Sequence, residues 1–233
     1  MRIRLCAVAL LAVLFLPAPV MAQAAAQPAP PSQKDQPSPG PTPEMFWQAL
    51  VTGNKEFVKG KLVYDDLIQE RERLAHSQYP PMTILSCSDS RVPPELVFNQ
   101  SIGGLFVVRS AGNVVDDLGL ASIEYAISNN WTMLLVVLAH QDCGAVKASL
   151  GRNDPASPYI LALAQRIRGS FYGIEWDPSN KEAVKKATIA NAKASAASLL
   201  AKSVIIRNAA LDNTLKIVVA YYSTETGEVT RIE

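Results

Sequence analysis

The sequence predicts an α/β domain with a mostly parallel central β-sheet flanked by helices, and three observations carry that prediction. Four short runs are apolar almost throughout: Met82–Ser86 and residues 105–108, 133–139 and 215–222. A strand covered on both faces needs no polar side, so a continuous apolar run, rather than strict alternation, marks a buried parallel sheet. Segments with helical patterning separate the runs, at residues 116–128, 143–150 and 158–169 and in an Ala-rich stretch over 180–210. Finally, the reactive side chains fall just after two of the runs, where sites form in such sheets, beyond the carboxyl ends of the strands.

Ahead of that domain the chain changes character. Arg2 and Arg4, an apolar run over residues 5–16 and the small-residue ending Val20-Met21-Ala22 predict a signal peptide over residues 1–22. Twelve apolar residues fall short of the roughly 18 that a membrane span needs, so the expectation is export to the periplasm or beyond, without insertion. Residues 23–43 carry seven prolines, all from Pro28 onward. Such a composition buries too little apolar surface to offset ordering, which predicts a disordered linker. The folded, catalytic domain is then residues 44–233. Net charge is +1 for the whole chain and −1 without residues 1–22, which gives no footing to nucleic acid or an anionic membrane as partner.

Taken in order, residues 44–60 set Phe46, Trp47, Leu50, Phe57 and Val58 at near-helical spacing behind Thr42-Pro43, a helix start. The mixed charges of this amphipathic arm suit contact with a partner subunit better than a membrane surface. A second helix over 65–75 ends at Tyr79-Pro80-Pro81. Gly103-Gly104 reads as a tight turn, because no G-x-G-x-x-G opens a helix there. Residues 225–228 form a turn into a short last strand, Val229–Ile232.

Cys87 follows the first apolar run, and His140 and Cys143 follow the third. Two thiolates and an imidazole fill three of the four tetrahedral positions of zinc, leaving one for water, as in a catalytic site. Cys143 opens a helix, whose positive end is expected to favour its thiolate, and Gly144 permits close backbone approach. Asp89 and Arg91 lie two and four residues beyond Cys87 and point the same way in an extended segment. A carboxylate gripped by a guanidinium can orient the water, or occupy the fourth position itself in an inactive state. The competing reading is a Cys87–Cys143 disulfide in a secreted, non-catalytic binding module. His140 beside one cysteine and the Asp-Arg pair beside the other favour metal. His76 reads as a solvated residue.

The segments CSDSRVPPELVF, LFVVRSAGN, SIEYAI, VVLAHQDCGAVKA and VVAYYSTETG together resemble the β-class carbonic anhydrases, over residues 44 to the end. That resemblance implies one zinc ion per subunit on Cys87, His140 and Cys143, with Asp89 and Arg91 as the catalytic pair. It implies reversible hydration of carbon dioxide to bicarbonate and a proton. It also implies a substrate cavity with Gln78 contributed from the partner subunit, Phe106 and Tyr125 as walls, and Gly144 at its edge. The assembly implied is a homodimer or a multiple of dimers. Hydrolysis of carbon disulfide or carbonyl sulfide on the same zinc site is the alternative substrate reading. Ala139, Gln141, Ser110 and Ala111 depart from the residues usual in the family, which bears on substrate fit more than on metal binding.

Overall fold

Five strands form one sheet in the order β2-β1-β3-β4-β5: β1 Met82–Ser86, β2 Leu105–Arg109, β3 Leu134–His140, β4 Lys216–Tyr222 and β5 Val229–Ile232. The first four are parallel and β5 closes the sheet antiparallel to β4. In this computed structural model residues 40–62, 66–151 and 157–232 are described. The expected signal peptide, most of the expected linker and the expected first residue of the second helix lie outside them.

The strands sort their side chains by the period of two. From β3, Leu134, Val136 and Leu138 join Met82, Ile84, Val218 and Ala220 in one core, while Leu135, Val137 and Ala139 join Leu85, Val219 and Tyr221 in the other. Every residue of β3 is buried, which is why its sequence shows no polar alternation. The first core is covered by α1 (Pro43–Val58) and α3 (Pro94–Val97), the second by α4 (Asp117–Ser128), α7 (Lys181–Lys202) and α8 (Val204–Leu211). A third cluster surrounds the sheet's carboxyl end, built on α5 (Gly144–Leu150), α6 (Pro158–Arg168) and the start of α7. The remaining helix, α2 (Leu67–Arg73), buries no residue.

One element differs from expectation, and one gains a contact that spacing did not reveal. The amphipathic arm packs on its own sheet through Trp47 and Leu50, buried in the first core, while Met45 and Val58 on the same helix stay exposed. Asn54 ties it there: its Nδ2 donates to Val97 O (3.0 Å) and Gly227 O (2.8 Å), and its Oδ1 accepts from Val229 N (2.8 Å). Gly53 permits the approach, since a Cβ there would stand 1.9 Å from Phe98 O. Spacing reveals that a helix has an apolar face but not which surface receives it.

The Ala-rich stretch, expected as one helix, is two, bent by 97° at Ser203. Ser203 Oγ accepts from Ile206 N (3.0 Å) and donates to Glu124 Oε1 (2.5 Å), so it caps α8 and anchors the corner to α4. Among the described residues no single helix is long and apolar enough to cross a membrane.

Candidate metal centre

The two central strands deliver the ligands. β1 and β3 run parallel with Ser86 opposite Leu138, so Cys87, one residue past β1, and His140, the last of β3, emerge at the same edge. A short turn through Asp142, whose φ is +52°, brings Cys143 back as the residue that starts α5. The ligand atoms of Cys87, His140 and Cys143 all lie within 4.8 Å of one another, and all three residues are buried.

The residues fit a zinc ion on three counts. The sulfurs are 4.0 Å apart, close to the ~3.8 Å that two Zn–S bonds of ~2.3 Å subtend in a tetrahedron. A disulfide needs about 2.05 Å; both cysteines are free, so the stapled reading loses its bond. His140 Nδ1–H donates to Gln141 O (2.9 Å), which leaves Nε2 with its lone pair inward. That Nε2 is buried and has no hydrogen-bond partner, a costly arrangement unless a cation occupies the space.

Hydrogen bonding from Cys143 lowers the Cys87 thiol to about 4, aided by His140 and by the backbone N–H of Gly112 and Asp89, against burial. Cys143 is pushed up, first because Cys87 holds the charge and then by burial. The backbone N–H groups of Val146 and Ala145 at the start of α5 act the other way and lower it, the direction expected of a helix terminus.

Asp89 stands at the mouth, with its Oδ2 3.8 Å from His140 Nε2. Arg91 holds it by a fork, Nε to Oδ1 (2.9 Å) and Nη2 to Oδ2 (2.8 Å), and Arg91 N also donates to Oδ1 (2.9 Å). The Arg91 guanidinium keeps the Asp89 carboxyl well below the usual carboxylate range, against partial burial. An ionised carboxylate with these bonds is a fixed acceptor.

Three residues of this centre were not singled out from sequence. Arg109, at the end of β2, donates from Nε to Cys87 O (3.0 Å) and from Nη2 to Asp89 O (2.6 Å). Gly112 N donates to Cys87 Sγ (3.2 Å). Its φ of +67° favours glycine, and a Cβ there would stand 2.9 Å from Ile167 Cδ1. Asn191, buried on α7, donates to Gly112 O (2.7 Å) and sets that turn. The strand-end segment V-V-R-S-A-G was visible, but nothing in it says what the arginine touches. Gln141, one of the departures, links the site to the β4–β5 turn by accepting from Ser223 Oγ (3.0 Å) and Glu225 N (3.3 Å).

The expected substrate residues fall elsewhere within the subunit. Gln78 and Tyr125 share an open hollow with Leu74, His76, Leu105 and Trp131, at the amino end of the sheet. Tyr125 meets Trp131 edge to face, ring centres 5.4 Å apart, and is 55% exposed. Phe106 is half-buried on edge strand β2, opposite Thr83. Gly144 does adjoin the metal centre, and a Cβ there would meet nothing within 4 Å. Thus one subunit brings Cys87, His140, Cys143, Asp89, Arg91 and Gly144 together and leaves Gln78 and Tyr125 apart from them.

Comparison with known proteins adds the following. Residues 82–229 match the carbonic anhydrase family. The chain is 39% identical over 137 residues to a carbonic anhydrase of Mycolicibacterium smegmatis and 41% identical over 136 residues to carbonic anhydrase 2 of Mycobacterium tuberculosis. Each of these matches takes in 57% of this chain and 66% of the relative, so the chain spans just under two thirds of their length. A Helicobacter pylori carbonic anhydrase is 30% identical over 182 residues, covering 71% of this chain and 82% of that one. The β-carbonic anhydrase CafA of Aspergillus fumigatus superposes with a TM-score of 0.61 at 25% identity, over 80% of this chain and 90% of that one. One of two tetrameric β-carbonic anhydrases of Sordaria macrospora shares the fold, with a TM-score of 0.64 at 22% identity, over 81% and 97%.

Proposed function

The chain belongs to the β-carbonic anhydrase family, and we propose that it catalyses the reversible hydration of carbon dioxide to bicarbonate and a proton, with one zinc ion per subunit. The observation that carries this reading is the unpartnered, inward-facing His140 Nε2 grouped with two free sulfurs beside a locked carboxylate.

Cys87 Sγ, Cys143 Sγ and His140 Nε2 would hold the ion, and its bound form supplies a Lewis acid that makes water a nucleophile near neutral pH. The chain's own groups do the rest. Asp89, unable to donate while Arg91 keeps it ionised, accepts a hydrogen bond from the attacking water and so turns the oxygen lone pair toward the carbon. The Gly112 N–H and the Gln141 carbonyl fix one sulfur and the imidazole ring, so the water is aimed by a rigid frame. Gln78 of a partner subunit is placed by this reading over the oxygen on which charge develops, with Tyr125 and Phe106 as walls. A homodimer, or a multiple of dimers, follows from that role. Export to the periplasm or beyond belongs to the same reading, supported by the basic, apolar and small-residue order of residues 1–22.

The test is zinc content per subunit beside a carbon dioxide hydration assay across pH, for the native chain and for Asp89→Asn. One zinc and hydration activity are expected; a metal-free, inactive, folded chain sinks the reading. The pH sign follows from the depressed Asp89 value. A carboxylate lowered on folding adds stability that is present above its unfolded value, about 3.9, and is lost only as pH falls through the lower folded value. Asp89 thus stays ionised at pH 5, and a loss of rate on mild acidification does not come from its protonation. Asp89→Asn is expected to keep zinc, lower the plateau by about 100-fold and leave the acid midpoint where it was.

A further inference from the structure

Strands β1 and β2 stay paired up to Ser86 and Arg109. The ladder continues one step, with Ser110 N donating to Ser86 O (3.1 Å) and Ser88 N to Ser110 O (3.2 Å). Past Ser88 the chain leaves the ladder and turns, Val92 N donating to Asp89 O (3.0 Å). The segment that presents both a sulfur ligand and the carboxylate therefore lies where strand pairing ends.

A side chain takes over from the ladder there. Arg109 bridges the carbonyls on either side of Ser88, Cys87 O at 3.0 Å and Asp89 O at 2.6 Å. Neither bond goes to a carboxylate, so the guanidinium is spent on backbone geometry. Its nitrogens are coplanar and rigidly spaced, so gripping two carbonyls at once fixes the separation of residues 87 and 89. The Asp89 carbonyl it holds is the one that closes the turn on which the Asp89–Arg91 fork is built. Arg109 is itself exposed, whereas Cys87, whose carbonyl it holds, is buried.

We propose that Arg109 is a positioning residue of the metal centre: it holds the Cys87–Asp89 backbone so that sulfur ligand and carboxylate keep a fixed offset. It acts through those two residues and does not touch the substrate. The proposal rests on the reading of the metal centre given above.

The test compares the native full-length chain with Arg109→Ala and Arg109→Lys, by three readouts: release of zinc to a chelator, the visible absorption of the cobalt-substituted protein, and kcat separately from KM. Arg109→Ala is expected to weaken metal retention or kcat by about 10–100-fold, to shift the cobalt bands, and to leave KM unchanged, the mark of a loss confined to the transition state. Arg109→Lys keeps the charge but not the fork, and is expected to recover only part of the loss. A folded Arg109→Ala with native zinc release, native cobalt bands and native kcat overturns the proposal, as does a variant that loses thermal stability alone. Full rescue by lysine overturns the argument from the fork. If Arg109→Ala does not fold, Arg109→Lys and Arg109→Gln carry the same comparison. Should the native chain hydrate no carbon dioxide, the functional reading fails, yet zinc release and the cobalt bands still decide what Arg109 does.

Discussion

The two ends of the sheet differ in completeness. At the carboxyl end, three ligand atoms lie within 4.8 Å of one another, the carboxylate is locked, and everything comes from one chain. At the amino end, Gln78 and Tyr125 line an open hollow with an exposed aromatic ring. A five-residue strand, about 3.3 Å per residue, separates the two. Metal ligands must converge to within a few ångströms, and adjacent strand ends of one chain achieve that. Groups that wall a pocket carry no such short-range demand, and in the proposed reading these reach the metal only across a subunit boundary.

The largest effect breaks the complete end. Cys143→Ser is expected to lose zinc and hydration together, read as metal per subunit and as rate, while the hollow at the other end is untouched. A folded, zinc-loaded Cys143→Ser protein with full activity would remove Cys143 from the ligand set.

A smaller effect sharpens the boundary between the two ends. Gln78→Ala is expected to keep zinc and lose up to about tenfold in rate, the worth of one hydrogen bond. Coexpressed with Cys143→Ser, it should regain activity in hybrid dimers, which pair one intact metal centre with one intact Gln78. Absence of any recovery in isolated hybrids would place Gln78 outside the reaction.

The smallest expected effect lies away from both ends. Ser203→Ala removes the α8 cap and is expected to cost about 1 kcal/mol, or about 2–4 °C in Tm for a domain of this size. Zinc content and kinetics should not move; if they do, the corner at Ser203 is coupled to the site.

Much of the carboxyl end was legible because its signals are local. Cys87, Asp89 and Arg91 lie within five residues and His140 and Cys143 within four, each set directly after an apolar run that could only be a buried strand. Arg109, Gly112 and Asn191 were not legible, since each acts on residues at least 20 positions away and their types suit many roles. The bend at Ser203 had a local signal, a serine before Val204-Ile205-Ile206. It was masked by alanines of high helix propensity on its amino-terminal side. The docking of α1 had none, because Trp47 and Leu50 fit a partner's surface and this chain's own sheet equally well until the sheet exists.

By itself the sequence determined the strands, the three candidate metal ligands and the Asp89–Arg91 pair, since period, charge and spacing are properties of short segments. Only the tertiary structure decided how close the two sulfurs stand, which side chain braces the ligand loop, and that Gln78 and Tyr125 lie at the far end of the sheet from the candidate metal centre. Those outcomes depend on distances between residues remote in the chain, and such distances come into being when the sheet closes.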